Sequence, residues 1–171
     1  QYITASGINC YGYQHYDKKH TEEDEYGKDY LSQVVQKWEN AAQQFSSICK
    51  VSKIRISVVL SAHGGALPKI AQPIKLYAGA PLGTGKQWMP WISMEDLLRL
   101  FVFTVKNNLE GTYNALANSD TNKKFTQELA FFLKKIKNFE DKLSLSPSLK
   151  WSCIPVNDLI LSNLTPCDYF C

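Results

Sequence analysis

The sequence predicts an α/β layer protein with a mainly parallel sheet. Residues 51–60 (Val-Ser-Lys-Ile-Arg-Ile-Ser-Val-Val-Leu) are dominated by β-branched side chains and form the clearest strand in the chain. Just before them, Leu31, Val34, Val35, Trp38, Ala41, Ala42 and Phe45 recur at helical spacing and give one apolar face. Further along, helix-like and strand-like segments keep alternating, which is the signature of βαβ units.

Taken in order, residues 2–6 (Tyr-Ile-Thr-Ala-Ser) read as the end of a strand and residues 7–12 as the loop after it. Residues 13–28 are polar and lack apolar periodicity, so they read as a loop, with Glu22, Glu23, Asp24 and Glu25 as a solvated turn. Asp29 is placed to cap the helix that begins near Tyr30. Its Leu, Val, Trp and Ala side chains are expected to face the core. His63-Gly64-Gly65 ends the strand, and residues 66–74 form a short helix interrupted by Pro68 and Pro73. Ser93 caps a helix starting Met94-Glu95-Asp96, whose Leu, Phe and Val residues lie all round and predict deep burial. Residues 111–116 follow as a short strand. Thr121 or Asn122 then opens a helix over Phe125, Leu129, Phe132, Leu133 and Ile136. Past Lys142 the periodicity is lost, so residues 143–171 are expected to be an irregular tail beside a domain at 1–142. Within the tail, residues 161–170 carry a short similarity to mariner-type transposases that accidental matching explains equally well.

Composition narrows the function classes. With 171 residues, 44% of them apolar, the chain is long enough for one domain with a sizeable core. A net charge of +3 with scattered Lys residues argues against a nucleic-acid partner. No apolar run approaches the ~20 residues that cross a bilayer. The five cysteines (Cys10, Cys49, Cys153, Cys167 and Cys171) lack metal-ligand spacing, and their odd number points to reduced thiols in an intracellular setting, cytoplasmic first and organellar as the alternative. Asn163-Leu164-Thr165 fits the glycosylation triplet, which requires a secretory route. His15, His20 and His63 have no partner at ligand spacing.

The densest chemistry lies in residues 79–92 (Gly-Ala-Pro-Leu-Gly-Thr-Gly-Lys-Gln-Trp-Met-Pro-Trp-Ile). A nucleotide P-loop fails on spacing, because Ala80 stands five before Gly85 and Gln87 occupies the Ser/Thr position. A polar loop closing over a substrate and a purely structural loop both fit. Lys86 and Gln87 are its binding candidates, as a charge and an amide. Trp88 and Trp91 read first as packing residues.

With the motifs laid out, their order resembles the C-terminal two-thirds of the sugar-nucleotide-epimerase-like proteins, an atypical branch of the extended short-chain dehydrogenase/reductases. Four pieces carry the resemblance: Ser6 through Tyr11-Gly12, the Trp38-Glu39-Asn40-Ala41-Ala42 helix, the Arg55 strand with Gly64-Gly65-Ala66, and Gly79 through Asp96. The resemblance covers roughly residues 1–135 and implies a partial Rossmann-like fold with a substrate-side segment. It also implies an NADP or NAD cofactor, a small polar substrate such as a sugar nucleotide, and an N-terminal dinucleotide-binding half that this sequence lacks. On that footing Ser6 and Tyr11 are the catalytic candidates, Ser6 and Val59 lie beside the cofactor, and Lys86 and Gln87 face the substrate. A packed tyrosine and a backbone-satisfying serine remain the plainer roles for the first two.

Departures from the family pattern are as informative. No Tyr-x-x-x-Lys pair occurs anywhere; the helix positions where it would fall hold Leu31 and Val35. Ser93 replaces an expected histidine, and Lys86 stands where many members carry arginine. An interior Arg55 is expected to pair with a carboxylate, Glu39 above all. A non-catalytic remnant or interaction module is the alternative reading.

Overall fold

The structure is a computed structural model that describes residues 1–13, 19–76, 79–81, 83–117 and 119–142. The expected tail at 143–171, with Asn163 and three of the cysteines, lies outside the described residues, as does His15.

Strand β1 (Tyr2–Gly7) leads through a 3₁₀ turn at Ile8–Tyr11 and a long strap to helix α1 (Tyr30–Gln43). Asp29 accepts the Ser32 backbone N–H, so the cap read from the sequence is the cap that forms. Strand β2 (Val51–Ile56) returns parallel to β1, with Ser6 opposite Arg55, and β6 (Gly111–Ala115) lies parallel on its other side, with Arg55 opposite Asn114. These three strands form one sheet in the order β1-β2-β6.

The strand expected over 51–60 is broken. At Ser57 the chain leaves the first sheet: its backbone N–H and its hydroxyl both donate to the Ala115 carbonyl, at 3.1 and 2.9 Å. It resumes as β3 (Val58–Ser61) in a second sheet with β4 (Gly64–Gly65), β5 (Trp88–Ser93) and β7 (Ser119–Thr121), in the order β4-β3-β5-β7. Only β3 and β5 run parallel there. A hydroxyl that satisfies a shared carbonyl lets one residue redirect a strand, and β-propensity alone does not register that switch.

Helix α2 (Ala66–Lys75) carries Pro73 within it, and α3 (Met94–Lys106) starts on the expected Ser93 cap, whose hydroxyl accepts from Asp96 N–H at 3.0 Å. Helix α4 (Asn122–Lys142) completes the order. One core packs Ile54, Ile92, Leu97 and Ala115 between the sheets and α3; another joins Leu60, Trp91 and Phe125.

Two burial expectations are corrected. Helix α3 is not deeply buried: Leu97 and Thr104 face inward while Leu98, Val102 and Val105 are more than half exposed. Its all-round apolarity therefore exceeds what one layer of packing covers. The expected inner face of α1 is largely turned outward: of that pattern only Ala42 is buried, beside Ser32 and Glu39, while Leu31, Val34 and Trp38, and Phe45 in the 3₁₀ turn Gln44–Ser47 that follows, are exposed. Among the described residues, no helix is long and apolar enough to cross a membrane.

Candidate functional site

The polar residues of the first sheet converge at its C-terminal ends. Because β1, β2 and β6 are parallel and in register, Ser6, Arg55 and Asn114 form one row across them. Glu39 descends onto that row from α1 and is fully buried. The Arg55 guanidinium grips it in a two-point fashion, Nε to Oε1 and Nη2 to Oε2, both at 3.0 Å. Ser6 donates to Oε1 at 2.5 Å and Tyr26 to Oε2 at 2.6 Å. The pairing expected for Arg55 is thus present, in a dry environment.

Tyr11 belongs to the same knot. Its hydroxyl accepts from Arg55 Nη1 at 2.8 Å and donates to Asn114 Oδ1 at 2.7 Å. Arg55 lies 5.2 Å from the ring centroids of both Tyr11 and Tyr26. The strap closes over the top: Arg55 Nη1 donates to the Glu22 carbonyl, and Glu22 Oε1 accepts from Asn114 N–H at 2.7 Å. His20 stacks on Tyr11 at 4.7 Å and bonds Asp24 at 3.1 Å. Gly27 N–H reaches the Cys10 carbonyl, and Gly12 makes that approach possible with φ +78°, where a side chain would strike Asp29 and Gly27. The acidic run is therefore more than a solvated turn, since Glu22 and Asp24 tie it down.

Burial and charge set the protonation states. Burial alone would raise the Glu39 pKa, but hydrogen bonds from Arg55, Ser6 and Tyr26 and the Arg55 charge outweigh it, leaving the carboxyl below its ordinary range. Arg55 is held protonated: burial opposes its charge, but the bonds to Glu39 and Tyr11 prevail. Burial pushes Tyr11 up and takes Tyr26 to about 12, so both phenols keep their protons at neutral pH. Cys10, also desolvated, rises to about 12. Every buried side-chain polar atom among the described residues has a partner. Such a knot orients its members; it holds no free base.

The other sequence candidates lie on different elements. Val59, on β3, packs its side chain against the Ile54–Ile92 core. Lys86 is exposed and Gln87 half-buried on the loop before β5. That loop docks on α4: the Gly85 and Gln87 carbonyls accept from Lys123 and Asn122 N–H at 2.9 and 2.8 Å. Gly85 is required there, having φ +72° and room for no Cβ, which would lie 3.0 Å from those of Lys123 and Pro81. Trp91 is a core residue, as its packing role predicts, whereas Trp88 is partly exposed. The structure joins Ser6 to Tyr11 through Arg55 and Glu39, and adds Tyr26, Asn114 and Glu22, which sequence reasoning missed. Asn114, next to last in a short strand, offered a faint polar signal; Tyr26 and Glu22 sat in a stretch without periodicity.

A dinucleotide needs a helix N-terminus with free N–H groups for its pyrophosphate. Among the described residues, the first turns of α1, α3 and α4 are already engaged, whereas that of α2, preceded by Gly64-Gly65, has no side-chain cap. Asp29 fills the first turn of α1, Ser93 with Glu95 and Asp96 fills that of α3, loop carbonyls fill that of α4, and Pro68 removes a donor from that of α2.

The parallel strands β1, β2 and β6 with their crossover helix define a partial Rossmann-like α/β fold, the fold of the epimerase and short-chain dehydrogenase/reductase structures it resembles. In sequence the chain is similar to epimerase family proteins over part of their length. It is 40% identical over 92 residues to the chloroplastic epimerase family protein SDR39U1 homolog of Arabidopsis thaliana, covering 53% of this chain and 26% of that one. To the epimerase family protein SH2119 of Staphylococcus haemolyticus it is 43% identical over 91 residues, 52% of this chain and 30% of the relative. Among solved structures, human epimerase family protein SDR39U1 (isoform 2) with NADPH aligns at TM-score 0.72 and 30% identity, over 77% of this chain and 45% of that one. The nucleoside-diphosphate sugar epimerase of Corynebacterium glutamicum gives 0.69 and 31%, over 83% and 33%. The chain thus spans under half the length of each of these relatives. No protein-family model matches it.

Proposed function

We propose that the chain provides the nicotinamide-side and substrate-side wall of an NAD(P)-dependent epimerase or reductase-like protein acting on a sugar nucleotide or a similar small polar substrate. The observation that carries this reading is the Ser6–Arg55–Asn114 row with Tyr11 at the C-terminal ends of β1, β2 and β6. Ligands of open α/β sheets bind outside the carboxyl ends of the strands. The NADPH complex of the human relative supports NADP(H) as the cofactor, with NAD(H) as the alternative. In this reading Ser6 and Tyr11 sit toward the nicotinamide, with Tyr11 held in place by Arg55 and Asn114. The Val59 backbone flanks the cofactor, and Lys86 and Gln87 reach the substrate. The domain is residues 1–142, in an intracellular protein, with the pyrophosphate-binding half supplied from outside the described residues.

A second reading, a non-catalytic remnant or interaction module, draws on Leu31 and Val35 in place of a proton-transferring pair and on the enclosed Tyr11 hydroxyl. Isothermal titration with NADPH separates the two. Binding tighter than about 1 mM supports the cofactor reading; no heat at that level, with the complementary half present, supports the remnant.

A further inference from the structure

A polar hollow of about 700 Å³ opens between the strap and α1. Glu25, Tyr26 and Lys28 line it from the strap, and Gln33, Gln36 and Lys37 from the helix. Gln36 and Lys37 stand three and four residues after Gln33, so the three share one helix face. That face is neither the buried one of Ser32 and Glu39 nor the apolar one of Val34 and Trp38. The hollow is also separate from the crest formed by the C-terminal ends of β1, β2 and β6, where Ser6, Arg55 and Asn114 lie. Tyr26 is the side chain that the hollow shares with the knot around Arg55.

Its walls are fixed by bonds that leave the lining groups at liberty. Tyr26 is held by its hydroxyl, which donates to Glu39 at 2.6 Å and accepts from Arg55 at 3.2 Å. Gly27 N–H reaches the Cys10 carbonyl at 2.7 Å, and a side chain at Gly27 would strike Ser32 and Gly12. Gln33 Nε2 donates to the Lys28 carbonyl at 3.0 Å, which ties strap to helix and leaves Gln33 Oε1 as an acceptor. Lys28 and Lys37 are exposed, and among the described residues neither ammonium has a carboxylate within ion-pair distance. The Glu25 carboxylate has no cationic partner there either. One hollow thus gathers two cations, one anion and two amides whose charges and hydrogen bonds are not spent on each other.

We infer that this hollow is a second small-molecule site, for a phosphate monoester carried on a polyhydroxylated ring, a sugar phosphate. Charge selects the anion: a phosphate monoester carries roughly −1.5 to −2 at neutral pH, which the Lys28 and Lys37 ammonium groups balance. Lysine acts here as a point charge with three donors, enough to share the phosphate oxygens between two side chains. Hydrogen bonding selects the ring: Glu25 and Gln33 Oε1 accept from hydroxyls, and the Gln36 amide both gives and accepts. The Tyr26 ring adds an apolar surface for the C–H face of a sugar. Glu25 also sets an upper limit on charge, since its carboxylate repels a second phosphate and disfavours a diphosphate. The volume falls within the range of ordinary small-molecule sites. This inference does not depend on the proposed function, because Ser6, Tyr11, Val59, Lys86 and Gln87 take no part in the hollow.

The test titrates the whole 171-residue chain, labelled with nitrogen-15, with glucose 6-phosphate while amide chemical shifts are followed. Glucose and inorganic phosphate are titrated separately. The expected result is saturable shifts at residues 25–28 and 33–37 with a dissociation constant on the order of 1 mM. Binding of inorganic phosphate and of glucose should each be at least about fivefold weaker, since each offers half of the contacts. Lys28→Ala combined with Lys37→Ala should weaken glucose 6-phosphate about tenfold or more. The urea midpoint should not move, because both side chains are exposed and the Lys28 carbonyl is retained. Glu25→Gln should tighten inorganic phosphate and narrow the preference for the sugar phosphate, which general attraction of anions to surface lysines would not do. The inference is overturned by the absence of a saturable shift up to about 20 mM. It is overturned equally by shifts that survive the double substitution, or by equal affinity for inorganic phosphate and glucose 6-phosphate.

Discussion

Helix α1 presents two faces that reverse the usual arrangement. The side turned to the sheet carries Ser32 and Glu39 and is dry; the side turned outward carries Tyr30, Val34 and Trp38 and is open. The inner face is stabilised by charge-assisted hydrogen bonds between few, specified partners, whereas the outer face has area without a partner. Apolar patterning therefore reports the surface a helix can bury once its neighbours are present, and the chain at hand need not contain them. Buried ionic pairing is more local, because an uncompensated charge in the interior is too costly to leave for a later partner.

The sharpest way to break this contrast is Arg55→Ala. It strands the fully buried Glu39 carboxylate, and we expect a loss of about 3–5 kcal/mol in urea unfolding. A loss under about 1 kcal/mol would mean that the knot is wetter than its geometry indicates. The same carboxylate gives a pH signature. Its folded pKa lies below the unfolded value, so its contribution is complete above about pH 4.3 and is lost as pH falls through the folded pKa. Urea midpoints should therefore drop on acidification below pH 4, and Glu39→Gln should flatten that dependence. Tyr26→Phe removes one donor to Glu39 and one acceptor for Arg55 and should cost about 1–2 kcal/mol.

On the outer face of α1, Val34→Ser should change the stability of the chain alone by no more than about 0.5 kcal/mol, in line with its exposure. A larger loss would show that face to be covered in solution. Smallest of all should be Lys86→Ala, also within about 0.5 kcal/mol by thermal unfolding, since the loop is anchored through the Gly85 and Gln87 carbonyls and the side chain is exposed. If ligand binding is established, that variant and Gln87→Ala should each weaken it by roughly 1–3 kcal/mol.

Much of the architecture was legible because it rests on local chemistry. Asp29 and Ser93 satisfy the N–H groups of their own first turns, so their sequence neighbours suffice to place them. The parallel pairing of β1 with β2 followed from a strand–helix–strand order, and the partner of Arg55 from the rarity of unpaired interior charge. What escaped notice depends on distant chain. Ser57 turns the strand because of a carbonyl contributed by Ala115, and α3 is half-exposed because no second layer among the described residues packs on it. Tyr26 and Glu22 enter the knot through a strap whose sequence has no period to read. That Ser6 and Tyr11 would lie near one another followed from the strand-and-loop order; that other side chains would engage their hydroxyls did not. Ser6 and Tyr11 lie at the crest, but their hydroxyls are engaged by Glu39, Asn114 and Arg55.

The break at Ser57 has a bearing on how such a protein can change over generations. One carbonyl, that of Ala115, anchors the point where β2 gives way to β3. Upstream of it, each strand position is fixed in register by neighbours on the parallel sheet. Downstream, the smaller mixed sheet and the loop before β5 are joined to that framework by core packing and a few main-chain bonds. Exposed loop positions between residues 58 and 93 can then accept substitutions and length changes more readily than Val59 and Ile92, whose side chains share a core with Ile54 and Ala115. Such a seam separates a half locked by strand register from one held by packing, and the tolerance of a position for change then follows its share in that packing.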